Sequence, residues 1–325
     1  MQQQIIHAPH RLSLANIERA AALIDPVFLN SPQYECEPLS HALGTALTLK
    51  VETLNPLRSF KGRGADFFAH ENAARLAGRM LVCASAGNWG QALAYVCRAR
   101  QWPVVVYCAT TANPLKLARM RAMGAEVRLH GDDFDAAKDE AQRFCADTGA
   151  CFVEDGREAS IAEGAGTIAR ELLRQTGFDA VLLPLGNGAL LTGAGRWIKA
   201  HAPEVRVIGV AAQGADAMAV SWQQGRTLDR DTVHTIADGI AVRRPVPQAL
   251  ADMQGTVDAV LLVSDAAIER AMRLVFGSAG LVVEPAGVVG VAAVLEHGSS
   301  LRSQRLATVL CGSNLTPEQM ARWLA

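Results

Sequence analysis

The chain has 325 residues, half of them hydrophobic, with 31 basic against 32 acidic side chains and a formal net charge of -1. That length supports two domains or one large α/β unit with a substantial core, and the balanced charge excludes a broad electrostatic footprint for nucleic acid or an anionic membrane. Seven dispersed cysteines, with no C-x-x-C pair and no clustering with histidine, speak against a disulfide scaffold or a zinc site and fit reduced thiols in a cytoplasm.

The first segment, "MQQQIIHAPHRL", lacks a basic leader, an apolar run and a cleavage site, so a cytoplasmic location is expected. An amphipathic helix follows, with Ser13 as N-cap and Ile17, Ala20, Ala21 and Ile24 on one face. Next come apolar runs separated by helical stretches: "LTLKVE", "MLVCA", "VVVYC", "EVRLH", "CFVE", "AVLLPLG", "RVIGVAA", "AVLLV" and "LATVLCG". Short Val/Leu/Ile-rich strands alternating with helices predict an α/β fold of two doubly wound domains with mostly parallel sheets, covered on both faces. Four of the strands fall between Met80 and Glu154. The expected organisation is a large domain of residues 1–78 and 157–325 and a small inserted domain of residues 79–156, with a ligand cleft between them. The late apolar segment "AGLVVEPAGVVGVAAVLEHG" is broken by Glu284 and Pro285 and is not expected to span a bilayer.

Four stretches stand out for chemistry. In "LNPLRSFKGRGADFF", Lys61 stands directly behind Phe60 where a helix opens. In "LVCASAGNWG" a strand runs into small residues and then a helix, so backbone N–H groups can point at an anion. In "AVLLPLGNGALLTGAG", residues Gly186, Asn187, Gly188, Ala189 and Leu190 join a buried strand to a helix. Their spacing fails the G-x-G-x-x-G dinucleotide fingerprint but can cradle one phosphate. In "LATVLCGSNLTPEQM" a strand ends before Ser313 and Asn314, and a helix begins near Pro317, with Ser313 or Thr316 available as its cap. The last three lie beyond the carboxyl ends of strands, where open α/β sheets bind ligands.

Taken together, "LKVETLNPLRSFKGRGA", "ASAGNWGQALA", the Gly186–Leu190 loop, "TIADGIAV", "VEPAGVVG" and "CGSN" resemble, in order and approximate spacing, the fold-type II pyridoxal-5'-phosphate enzymes, and among them the serine/threonine dehydratase branch of the tryptophan synthase β superfamily. The resemblance implies that Lys61 binds pyridoxal 5'-phosphate covalently with Phe60 against its ring, and that Asn88 bonds the ring oxygen. It places the phosphate on the amides of residues 186–190 and makes Ser313 the partner of the ring nitrogen. The substrate carboxylate would sit on Ser85, Ala86, Gly87 and the following amides of Asn88 and Trp89, with Gly239 and Glu284 nearby. The implied reaction is a β-elimination: Lys61 takes the Cα proton, the β-hydroxyl leaves as water, and the product hydrolyses to a 2-oxo acid and ammonia. The partners implied are a small amino acid and a second copy of the chain, as a homodimer.

The departures from the family pattern are specific. Trp89 stands where the family has histidine, and Arg58 where it commonly has glycine. The altered wall makes L-threo-3-phenylserine a candidate substrate beside L-threonine and L-serine. Ala86 replaces the second serine of the related racemases, which disfavours racemisation, and Ala211 and Ala217 replace acidic residues of the family's divalent-cation loop, so no metal is expected there. Asn187 tolerates the left-handed backbone that a glycine would take in the phosphate loop. The end of the chain soon after "CGSN" leaves no room for the regulatory domain of biosynthetic threonine dehydratases, which favours a catabolic enzyme. The competing readings are a β-replacement synthase, a non-catalytic binding protein for amino acid or cofactor, and a nucleotide-dependent oxidoreductase.

Overall fold

The computed structural model describes residues 10–175, 177–301 and 304–325. The chain opens with the helix Leu14–Leu23, capped by the Ser13 hydroxyl, which accepts from Asn16 N at 3.3 Å. All nine apolar runs form strands. A tenth, β1 (Gln33–Glu35), escapes a reading based on apolar runs because it is short and mostly exposed. It pairs antiparallel on the edge of β2 (Ala46–Val51).

The next strands, β3 (Leu81–Ala84), β4 (Val104–Cys108), β5 (Glu126–Leu129) and β6 (Cys151–Phe152), form a parallel sheet in the order β5-β4-β3-β6. The remaining ones, β7 (Ala180–Pro184), β8 (Arg206–Ala212), β9 (Ala259–Val263) and β10 (Arg305–Leu310), join β1 and β2 in the order β1-β2-β10-β7-β8-β9. Every ladder in that sheet except β1-β2 is parallel. Helices cover both faces, and β7 is buried along its whole length, as parallel strands require. No ladder runs between the two sheets among the described residues. We therefore propose them as the cores of a large domain (1–78 and 157–325) and a small one (79–156).

A buried ion network fixes the helix Lys61–Glu71, which carries the lysine singled out above. Arg63, with no solvent exposure, reaches Glu52 at the end of β2 through Nε (2.9 Å) and Glu171 of the helix Ala159–Leu172 at 2.6 Å. Lys50 Nζ meets the same Glu171 at 2.6 Å. Burial opposes the charge on Glu171, but the hydrogen bonds and charges of Arg63 and Lys50 hold its carboxyl at about 2. Two strand-and-helix contacts thus set where Lys61 stands.

Candidate active site

One cavity gathers the carboxyl-end loops of both sheets. Phe60, Lys61, Ser85, Ala86, Gly87, Asn88, Trp89, residues 186–190, Gly239 and Glu284 all line it. The loop after β3 bends sharply at Gly87, whose φ of 146° is open to glycine alone and whose missing Cβ would stand 2.1 Å from Lys116 Cδ. The Ser85 hydroxyl accepts from Gly87 N and Gly90 N, each at 2.8 Å. Its lone-pair capacity is spent on the first turn of the helix Asn88–Arg100, so its one proton is free to donate into the cavity.

The Asn88 side chain is held from two sides: its amide nitrogen donates to Glu284 Oε1 at 2.5 Å, and its oxygen accepts from Asn314 Nδ2 at 2.9 Å. Glu284 Oε2 in turn accepts from Asn314 N at 3.0 Å. One N–H of Asn88 is left over for a ligand. Lys116, almost wholly buried, lies 2.7 Å from Asp238 Oδ2 and 3.7 Å from Glu284 Oε2. Burial works against its charge, but the two carboxylates outweigh that and raise its pKa above the ordinary lysine value.

On the opposite wall the loop after β7 leads into the helix Ala189–His201. The left-handed residue is Gly188 (φ 95°), and Asn187 has no positive φ, so asparagine's tolerance of that region is not what shapes the loop. The Asn187 Oδ1 atom is buried without a hydrogen-bond partner, and its nitrogen donates to Asp155. The turn and the first residues of the helix line the cavity, and backbone amides at a helix N-terminus favour negative charge.

Ser313 is the one expected site residue that stands apart. Its hydroxyl donates to Val282 O at 2.5 Å, its N–H donates to Arg58 O at 2.9 Å, and it is absent from the cavity wall. Two residues earlier, Cys311 lines the cavity. Burial pushes its thiol up to about 12, so it is a neutral S–H. Arg58 itself adopts a φ of 49°, the left-handed region that favours glycine.

Sequence reasoning missed Asp155 and Lys116, and it named Asn314 beside Ser313 without giving it a role. Asp155 pairs with Lys61 Nζ, and the Lys116–Asp238 contact spans 122 positions of chain. Their only sequence signal was proximity to strand ends. Among the described residues no group of histidine, cysteine and carboxylate side chains is placed to hold a metal ion, and no helix is long and apolar enough to cross a membrane.

Comparison with known proteins adds three likenesses to a family match. The profile of the family described as pyridoxal-phosphate dependent enzyme matches residues 24–312. The chain is 32% identical to the L-threonine ammonia-lyase of Thermotoga maritima over 96% of its own length and 78% of the relative's. It is 33% identical to the phenylserine dehydratase of Ralstonia pickettii over 90% of each. Its structure overlays that of the processed form of threonine deaminase isoform 2 from Solanum lycopersicum with a TM-score of 0.86 and 27% identity, over 98% of this chain and 90% of the other.

Proposed function

The chain belongs to the family of pyridoxal-phosphate dependent enzymes, and from that premise we propose an ammonia-lyase that dehydrates a β-hydroxy L-amino acid to a 2-oxo acid and ammonia. The residues present fit the cofactor. A Cβ at Gly186 would stand 3.1 Å from Ile240 Cα, so a side chain there would crowd the facing wall of the cavity. Lys61, beside Phe60 and 4.8 Å from its ring centroid, supplies the amine. Lys61 is the observation that carries the proposal, because it is in the same cavity as the turn of residues 186–190 and the held Asn88.

Pyridoxal phosphate, when bound, supplies the electron sink for the carbanion formed at Cα. The chain's own groups do the rest. Lys61 would hold the cofactor and, as a free amine, would take the Cα proton on Nζ. The Ser85 hydroxyl and the amides of residues 86–89 bind the substrate carboxylate at the N-terminus of the helix Asn88–Arg100, and Lys116 adds a buried positive charge behind them. The remaining Asn88 N–H would meet the ring oxygen, and the amides of residues 186–190 would take the phosphate. The neutral Cys311 thiol, which lines the cavity where Ser313 does not, would be the group beside the ring nitrogen of a bound cofactor. A thiol there would no more hold a proton on the ring than a hydroxyl would, which would favour prompt loss of a β-leaving group.

Among β-hydroxy amino acids, the bulky L-threo-3-phenylserine is favoured by Trp89, which is nearly buried yet lines the cavity, and by the 33% likeness to a phenylserine dehydratase. A panel assay tests both levels. Release of 2-oxo acid from L-threonine, L-serine and L-threo-3-phenylserine by the loaded enzyme ranks the substrates; no release from any of them overturns the lyase reading. Release that appears only as a substituted amino acid when sulfide is added would make the enzyme a β-replacement synthase. The same reading carries a cytoplasmic homodimer, which cell fractionation and sedimentation check.

A further inference from the structure

The cavity contains a carboxylate that the mechanism above leaves unused. Asp155 follows closely on β6, is 4% exposed and forms an ion pair with Lys61 Nζ. Its other oxygen accepts from Asn187 Nδ2 at 2.7 Å. The turn that carries it is pinned: Gly156 has a φ of 83°, and a Cβ there would stand 2.1 Å from Asn187 O. The carboxylate therefore stays in place whatever Lys61 does.

Other charges face this pair. Across the cavity are Lys116 with Asp238 and Glu284, which neutralise one another in part, and the neutral Cys311. Behind Asp155, Glu154 is paired with Lys138. Among these, only the Asp155 carboxylate touches Lys61.

A buried carboxylate that loses its cationic partner is strongly disfavoured, so this site prefers states in which the Lys61 nitrogen bears a proton. We infer that Asp155 is a positioning residue that keeps the proton on Lys61 Nζ, both while the lysine carries the cofactor and after it has served as base. The inference rests on the reading of Lys61 as the cofactor lysine. Asp155 itself takes up no proton. The Cα proton goes to the nitrogen lone pair, and the resulting ammonium pairs with Asp155.

The test is a pH titration of the visible absorbance of the loaded protein, for the native chain, Asp155→Asn and Asp155→Glu, with borohydride reduction and peptide mapping to locate the modified lysine. Removing the negative charge lowers the titration midpoint by about 1 pH unit or more, and Asp155→Glu restores most of it. Equal midpoints for the native chain and a folded Asp155→Asn protein overturn the inference while leaving the lysine assignment intact. Modification at a lysine other than Lys61 overturns the assignment itself, and the inference with it. Should Asp155→Asn fail to fold by circular dichroism, Asp155→Ser carries the same titration.

Discussion

Gly312 passes Glu284 so closely that a Cβ on it would stand 2.3 Å from Glu284 Oε1 and 3.0 Å from Asn88 Nδ2. The backbone of one strand end therefore seals the hydrogen bond that aims Asn88 into the cavity. Gly312→Ala should push Glu284 and Asn88 out of register. We expect the protein to fold but to bind cofactor more weakly and to lose about 100-fold in turnover, the cost of misplacing a reacting group by about 1 Å. Equilibrium dialysis with pyridoxal phosphate, with kinetics on the same sample, checks this; native affinity would show that Asn88 is aimed by something else.

The buried ion network supports an acid-stability prediction. The Glu171 carboxyl is held at about 2 against an ordinary 4.5. A lowered carboxyl pKa contributes stability that is fully present above the ordinary value and is lost as pH falls through the lowered one. Glu171 should thus contribute about 3 kcal/mol at neutral pH that disappears between pH 4.5 and pH 2. Urea unfolding of Glu171→Gln should start lower at neutral pH, because Arg63 and Lys50 lose a partner, and should change less on acidification. Parallel losses in the two proteins would count against the network.

Much of this arrangement was legible in the residues themselves. The nine apolar strands declared themselves because parallel strands covered on both faces are largely continuous in hydrophobic residues, and Ser13 declared itself by cap chemistry; of the two caps the sequence offered for the last helix, Ser313 and Thr316, the fold uses Thr316, in a full capping box with Gln319. Edge strand β1 was illegible because its pairing depends on β2 rather than on its own composition. Lys116, Asp155 and the role of Asn314 were illegible for a related reason. A lysine or aspartate reads as a surface charge until the fold supplies its partner, and here the partners lie 94 to 226 positions away.

Trp89 bears on substrate choice. It is 5% exposed, lines the cavity, and its Nε1 has no hydrogen-bond partner. It brings to the cavity an indole wall and an N–H that no protein group satisfies. Trp89→His should lower the ratio of kcat/KM for L-threo-3-phenylserine over L-threonine by about tenfold, the worth of one good aromatic contact. An unchanged ratio would reduce Trp89 to packing.

Asp216 offers a metal test. Both of its oxygens are taken by Arg230, through Nε and a terminal nitrogen each at 2.7 Å, and the next residue, Ala217, brings no carboxylate. A guanidinium occupies the charge that a divalent cation would neutralise. Turnover should therefore survive chelation by EDTA and gain nothing from added magnesium. Activation by magnesium in the native chain, absent from Asp216→Asn, would place a cation on this loop after all.

The last prediction separates two neighbours in "CGSN". The family resemblance made Ser313 the expected ring partner. In the fold, Ser313 sits beyond the antiparallel bridge between Ser59 and Gly312, and its hydroxyl is spent on Val282 O. Cys311 precedes that bridge, its thiol pointing to Ala286 O at 3.7 Å along the cavity wall. Ser313→Ala should therefore cost only a buried hydrogen bond, about 1 kcal/mol of stability, and leave the cofactor's absorbance unchanged. Cys311→Asp should do the opposite. A carboxylate at that place would hold a proton on the ring nitrogen, lengthen the life of the carbanion and slow elimination relative to side reactions at Cα. Spectra and product partition of the two variants decide the matter. A spectral change in Ser313→Ala with none in Cys311→Asp would return the role to the serine, and would require the 311–314 segment to shift when the cofactor binds.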